Sequence, residues 1–300
     1  MEKLTKCPIC GSKNIKKKLE IPDHFLTKEL FELWECRECT TKFTNPRPHK
    51  ENLSKYYESS EYLSHTANKQ GPLGKFYNVL RIINIHNKYK LLNQYTTKGK
   101  VLDIGCGTGE FLHYLDKKGW ECQGIEPNEA ARKYAKETYQ LPIEDENILK
   151  KLPAKHFDLI TLWHVLEHIP EINDRLLDIN RILKDDGTIF LALPNPASWD
   201  AISYNSYWAG YDVPRHLYHF SQTAVHFLAQ QNGWKIITTK PLKMDAYYVS
   251  LLSERYKSNN HPIPAAIKMG FISNHKARKT GNYSSLIYIL KKNHNTVSMK

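Results

Sequence analysis

From about residue 100 onward, short continuously apolar runs alternate with stretches whose apolar residues recur every three or four positions. Val101, Leu102 and Ile104 suit a strand buried on both faces, and Phe111, Leu112 and Leu115 repeat at helical spacing just after it. Glu121 to Glu126 reads as a second strand, Asn128 as the cap of a helix through Ala135, Leu141-Pro142-Ile143 as a short third strand, and Phe157 to Trp163 as a fourth. A helix from about Glu171 to Leu183, a turn at Asp186-Gly187 and a strand from Thr188 to Leu193 follow. Two later apolar runs, Trp234 to Thr239 and Ser285 to Leu290, bring the strands to seven. This rhythm predicts an α/β fold with a doubly wound sheet. Between the last two runs lie about 45 residues, too many for a hairpin loop, with helices predicted near Met244 to Arg255 and Ile263 to Ser273.

The first hundred residues pattern differently. Asn45-Pro46-Arg47-Pro48 marks a boundary, because the residue before each proline is pushed away from helix. A tyrosine-rich stretch follows, with Tyr56, Tyr57, Tyr62 and His65 ahead of Gly71-Pro72, and then a basic amphipathic helix through Phe76, Leu80, Ile83 and Tyr89. The expected division is residues 1–45, a Tyr-rich lid and helical linker over 46–98, and a core over 99–300 with a helical insertion at about 241–284.

Composition narrows the class. A chain of 300 residues with 41% hydrophobic content is ordinary for a globular protein. No apolar run approaches the roughly 20 residues of a membrane span, and the N-terminus lacks the apolar stretch of a signal peptide, so the expectation is no membrane span and a cytoplasmic location. The net charge of +12 is uneven: +4 over residues 1–50, −1 over 51–239 and +9 over 240–300. Basic ends suit phosphates on a small substrate, nucleic acid or an anionic surface, or are simply solvated.

Four of the six cysteines form two hooks, Cys7-Pro8-Ile9-Cys10 and Cys36-Arg37-Glu38-Cys39, with 25 residues between them. Such spacing closes a tetrahedral thiolate site, so Cys7, Cys10, Cys36 and Cys39 are expected to bind a structural Zn²⁺ in a zinc ribbon. Four thiolates leave no open position for substrate. Disulfides would need an oxidising compartment that nothing else in the chain suggests. Cys106 and Cys122 read as small core residues.

Asp103-Ile104-Gly105-Cys106-Gly107-Thr108-Gly109-Glu110 joins the first strand to its helix through a loop nearly free of side chains, and Glu126 ends the second strand. A carboxylate there can accept both hydroxyls of a ribose. A dinucleotide fingerprint would need glycine where Glu110 stands, and an acid facing a pyrophosphate would repel it. The sequence here resembles the class I S-adenosylmethionine-dependent methyltransferases, whose first motif has this form. The resemblance implies a Rossmann-like sheet of seven strands with an antiparallel last strand. It also implies a cofactor site of Asp103, Gly105, Cys106, Gly107, Gly109 and Glu126, joined by Trp163 and His164 at the end of strand four.

Residues just past strands four and five are placed to meet a substrate. Strand four runs into His164-Val165-Leu166-Glu167-His168, similar to the VLEH segment of many small-molecule methyltransferases. After strand five come Trp199, Tyr204, Tyr207, Trp208 and Tyr211, then Asp212-Val213-Pro214-Arg215-His216-Leu217-Tyr218-His219. So many rings read as a substrate pocket. With the cysteine hooks, this resembles a broad group of bacterial methyltransferases over almost the whole chain. Related sugar C-methyltransferases carry an EHxSY-like segment where this chain has Arg215-His216-Leu217-Tyr218, which speaks against carbon-acid chemistry. His216 or His168 is expected to be the base, with Tyr62, His65, Glu167, Tyr211, Arg215 and His219 around the acceptor. The expected partner is a small-molecule acceptor, such as a phosphorylated or nucleotide-linked sugar or another envelope or secondary metabolite. Two alternatives stand beside it: an RNA methyltransferase gripping phosphates with its basic ends, against which no amino-methylation motif follows strand four, and a non-catalytic module that only binds the cofactor.

Overall fold

The computed structural model describes residues 1–57, 72–258 and 260–294, with side chains over the same ranges except 72–80. Tyr62 and His65 lie outside them. In chain order the first elements are β1 (Ile15–Pro22), β2 (Leu30–Cys36), β3 (Lys42–Thr44), α1 (Pro72–Leu92), β4 (Lys100–Ile104), α2 (Glu110–Asp116), β5 (Glu121–Ile125), α3 (Glu129–Tyr139), β6 (Ile143–Glu144) and β7 (Phe157–Trp163). After these come α4 (Ile172–Ile182), β8 (Leu183–Pro194), α5 (Trp199–Tyr204), β9 (Tyr218–His219), α6 (Gln222–Gln231), β10 (Trp234–Pro241), α7 (Asp245–Tyr256), α8 (Pro262–Thr280) and β11 (Ser285–Lys292). No described helix is long and apolar enough to cross a membrane.

Seven strands form one sheet in the order β10-β11-β8-β7-β4-β5-β6. β4 runs parallel to both β5 and β7, and β5 parallel to β6. Strands buried on both faces are rich in apolar residues, and the buried Val101, Leu102 and Ile104 of β4 and Phe157, Leu159, Ile160 and Leu162 of β7 are why the pattern located them. The α/β sheet expected from the alternation is therefore present. Asn128 caps α3 by accepting from the Ala131 N–H at 3.0 Å.

Two boundaries differ from the pattern. The strand expected to start after an Asp186-Gly187 turn begins at Leu183 and takes that pair into itself. Long-range contacts hold the segment at the sheet: Lys184 pairs with Asp158 of β7 at 2.6 Å, and Lys292 of β11 donates to the Leu183 carbonyl at 2.7 Å. The second insertion helix, α8, continues to Thr280, where Gly281 takes the left-handed conformation (φ 74°) that ends it.

The chain divides into two compact units. One holds the described residues among Met1–Glu58, His164–Asn173 and Ala192–Tyr288, and the other those among Ser59–Trp163, Asp174–Leu191 and Ile289–Lys300. In the first, a separate four-stranded sheet has the order β1-β2-β3-β9, pairing Phe43 with Tyr218 and Lys42 with His219. Ile21, Phe31, Leu33 and Tyr56 pack there with Tyr204, Trp208 and Tyr211 in one buried apolar cluster. The rings of the aromatic loop expected to line a pocket are thus largely core, and Tyr211, expected at the substrate, is 5% exposed within that cluster. Rings of this size stabilise most when fully removed from water, and the N-terminal strands offer the surface that does so.

Beneath the cluster, the buried Asp200 carboxylate accepts from the Trp208 indole (2.8 Å), the Ser273 hydroxyl (2.6 Å) and the Ser284 hydroxyl (2.7 Å). Removing one acceptor would leave three buried donors unmet. Asp200→Ala is expected to destabilise the fold by about 3 kcal/mol or more in urea denaturation, with Asp200→Asn milder. A loss under about 1 kcal/mol would show that water replaces the carboxylate.

Candidate functional site

The loop after β4 is built to hold its backbone open. Gly105 and Cys106 donate their N–H groups to the Ile125 carbonyl at 2.7 and 3.1 Å, tying the loop to the end of β5. Gly109 starts α2 at φ 78°, and a Cβ there would come within 3.1 Å of both Ala135 and Ile143, so only glycine fits. A Cβ at Gly107 would meet nothing within 4 Å, which leaves open space over the loop.

Two acids stand at this loop. Glu126 accepts from the Gly107 N–H at 2.8 Å and the Asn128 N–H at 2.9 Å, one bond on each oxygen, which leaves both oxygens further lone pairs. Burial raises its carboxyl above the usual range, and those two bonds offset only part of that rise. Asp103 is 3% exposed, accepts from the Thr161 hydroxyl, and has its pKa raised by burial to about 7. Burial also pushes the Cys106 thiol up, which leaves it a packing residue. Trp163, at the end of β7, stacks edge-on against Phe111 and lies under the Lys88 ammonium at 4.2 Å. Its indole N–H is buried without a hydrogen-bond partner. Glu110 departs from expectation: its carboxylate pairs with Arg81, so it is not a bare charge facing the loop.

The other candidate residues lie in the first unit. His164 sits in the left-handed region (φ 57°), a conformation uncommon outside glycine. Its Nε2 is 3.0 Å from Asp245 and its Nδ1 is 3.6 Å from Glu167. Burial alone would lower its pKa, but the two carboxylates outweigh burial and raise it to about 10. Asp245 begins the insertion helix α7 and carried no motif in the sequence, so only the fold reveals it.

Glu167 is 1% exposed, and neither of its oxygens has a hydrogen-bond partner. Burial would raise its carboxyl, yet the imidazoles of His164, His216 and His168 hold it below the usual range. The His216 Nε2 lies 4.0 Å from its Oε1. Both rings are oriented by carbonyls, which can only accept: His216 Nδ1 is 3.0 Å from the Gly210 oxygen and His168 Nδ1 is 3.1 Å from the Arg215 oxygen. The His216 Nδ1 therefore donates to its carbonyl, while the His168 Nδ1 also faces the Tyr57 hydroxyl at 2.9 Å. Burial lowers the His168 pKa to about 4, so this ring stays neutral at physiological pH.

Arg215 corrects an expectation. Its guanidinium, 2% exposed, donates to Asp212 from Nε (3.0 Å) and Nη2 (2.7 Å), to Asp23 from Nη2 (2.9 Å), and to the Tyr56 carbonyl from Nη1 (3.1 Å), leaving nothing for a substrate. It is a positioning residue for the loop that carries His216. Asp212 was quoted in the sequence only as part of that segment, and Asp23 went unnoticed because nothing local marks it. His219 is likewise buried, 3.4 Å from the Thr44 hydroxyl, with its pKa driven well down by burial, and it lines the same narrow space as Glu167 and His216.

The four expected cysteines converge. Their sulfurs lie within 4.8 Å of one another, with Cys7 and Cys39, and Cys10 and Cys36, each 3.5 Å apart. Sulfurs about 2.3 Å from a tetrahedral zinc stand about 3.8 Å apart, so the donor set fits that ion. Gly11 (φ 74°) makes the turn after the first hook, donating to the Cys7 carbonyl at 2.9 Å.

Residues 81–239, slightly over half of the chain, match the family described as methyltransferase domain. The chain is 34% identical over 155 residues to a ubiquinone biosynthesis O-methyltransferase from Coxiella burnetii, covering 49% of this chain and 62% of that protein. A protein of the same name from Histophilus somni is 36% identical over 110 residues, 33% of this chain and 46% of its own. The chain thus spans less than two thirds of the length of these curated relatives. Among solved structures, a SAM-dependent methyltransferase from Archaeoglobus fulgidus shares the fold at 19% identity and a TM-score of 0.51, over 78% of this chain and 100% of that one. A geranyl diphosphate C-methyltransferase from Streptomyces coelicolor A3(2) does so at 13% and 0.50, over 78% and 86%.

The raised pKa of His164 has a signed consequence. Its charged pairing contributes in full below about pH 6.5 and is lost as the pH climbs through about 10. His164→Gln should therefore lower the thermal midpoint relative to the native chain at about pH 7, and the difference should shrink toward zero above about pH 10. Equal destabilisation at both pH values would show that the charge on His164 contributes nothing.

Proposed function

The chain belongs to the methyltransferase-domain family, and on that premise we propose that it moves the methyl group of S-adenosylmethionine to a hydroxyl of a small-molecule acceptor. The observation that carries this reading is the pair of buried acids around an open glycine loop, Asp103 and Glu126, with a bare backbone at Gly107. Glu126 offers its remaining lone pairs to the ribose hydroxyls, and its two backbone bonds fix the carboxylate in place to do so. Asp103, Gly105, Cys106 and Gly107 border the methionine end, and the unpartnered Trp163 indole N–H is a donor for the same ligand. A hydroxyl acceptor, rather than an amine or a carbon, is supported by the relatives named O-methyltransferases.

When bound, the cofactor supplies an electrophilic methyl carbon on a sulfonium, which becomes a neutral thioether as the acceptor oxygen displaces it. The protein has to align that oxygen and draw off its proton. We place the acceptor hydroxyl at the Nε2 atoms of His168 and His216, next to Glu167. The four N-terminal cysteines hold a structural zinc ion.

Two measurements test the reading. Calorimetry with S-adenosylmethionine is expected to show binding that Glu126→Ala weakens by about ten- to a hundredfold. Asp103 must ionise beside a cationic ligand, so affinity should rise as pH increases from about 6 to 8, and Asp103→Asn should flatten that slope. Absence of binding would sink the proposal. For the zinc, metal analysis should find one thiolate-bound ion per chain, and chelation should lower the thermal midpoint of the native chain but not of Cys36→Ser.

A further inference from the structure

We propose that Glu167, His168 and His216 hold a divalent transition-metal ion with one position open to an oxygen ligand. The first ground is the state of Glu167. A carboxylate 1% exposed with no hydrogen bond to either oxygen has only longer ion-pair contacts to imidazoles, and buried carboxylates ordinarily accept hydrogen bonds or coordinate a metal. His164 is near but stands 3.6 Å away, too far for a hydrogen bond, and its Nε2 is already taken by Asp245.

The second ground is the orientation of the two imidazoles. Metal-bound histidines donate the proton of their other ring nitrogen to a carbonyl or carboxylate, which fixes the tautomer. His216 does this toward the Gly210 carbonyl, and the His168 Nδ1 faces the Arg215 carbonyl. Tyr57 lies 2.9 Å from the same His168 nitrogen. One donor atom each of Glu167, His168 and His216 lies within 4.8 Å of the other two, the His216 Nε2 standing 4.0 Å from Glu167 Oε1. Ligands about 2.1 Å from a tetrahedral ion stand about 3.4 Å apart, so side-chain rotations of an ångström or so complete the site.

The third ground is the ligand set. Two imidazoles and one carboxylate suit zinc, cobalt, manganese or ferrous ions rather than calcium or magnesium. Three protein ligands leave a position free, unlike the closed cysteine site. Its use rests on the methyl-transfer reading: an acceptor hydroxyl bound there would be far more acidic and would give its proton to solvent water, while its oxygen would take the methyl group as the methyl–sulfur bond breaks and the sulfonium becomes a neutral thioether.

The test uses the full chain with its cysteine site first loaded with zinc, then titrated with Co²⁺ and followed by absorption and metal analysis. One further equivalent should bind, with weak visible bands and no thiolate charge-transfer band. His168→Ala and His216→Ala should each weaken it by more than about 100-fold. Glu167→Gln, which keeps the side-chain volume, is titrated beside them so that a misfolded histidine variant does not decide the result. Absence of a second equivalent, or one that all three variants retain, overturns the site. The count needs no methyl acceptor, so its failure leaves the methyl-transfer reading to stand or fall on cofactor calorimetry.

Discussion

Burying one arginine organises the unit that carries the imidazoles. Arg215 is sealed from water and held by two carboxylates, one three residues before it and one, Asp23, nearly two hundred residues away. Taking such a charge out of water is costly, and only near-complete pairing offsets it. Asp23 meets that demand: besides Arg215 it accepts from the N–H groups of Phe25, Leu26 and Thr27, so a whole N-terminal turn is organised around it. Losing either partner would strand a charge. The segment before residue 58 is therefore part of the structure that sets the His216 loop, and the β3–β9 pairing and the Thr44 hydroxyl bond to the His216 carbonyl reinforce it.

Against that satisfied arginine stands an unsatisfied acid. Glu167 is as deeply buried, yet its oxygens face imidazole nitrogens at distances too long for hydrogen bonds. His164 holds a strained backbone conformation beside it. Folds tolerate such departures where function requires them and rarely elsewhere. The contrast between Arg215 and Glu167, neighbours through the Leu217 N–H bond to the Glu167 carbonyl at 2.8 Å, separates the residues that build this region from those left available for chemistry.

How much was legible from the chain follows the range of the interactions. The alternation of β4, α2, β5, α3 and β7 was readable because burial on a sheet or helix face imprints a local period, and the glycine loop because positive φ demands glycine at fixed positions. The cysteine hooks were readable for a similar reason, since CxxC spacing is itself the geometry of a ligand pair. The start of β8 was not, because the Lys184–Asp158 and Lys292–Leu183 contacts override a local turn signal.

The sequence by itself determined the sheet, the nucleoside-type loop with Asp103 and Glu126, and the convergence of four thiols. Only the tertiary structure decided which polar residues are spent on architecture. It moved Arg215 and Tyr211 from the expected pocket into the core, it gave Asp212 its place beside Arg215, and it brought forward Asp23 and Asp245, which no spacing could announce. The reason is physical. A side chain's chemistry is written in its type, but whether its donors and lone pairs are already satisfied depends on groups that meet it only after the chain has folded.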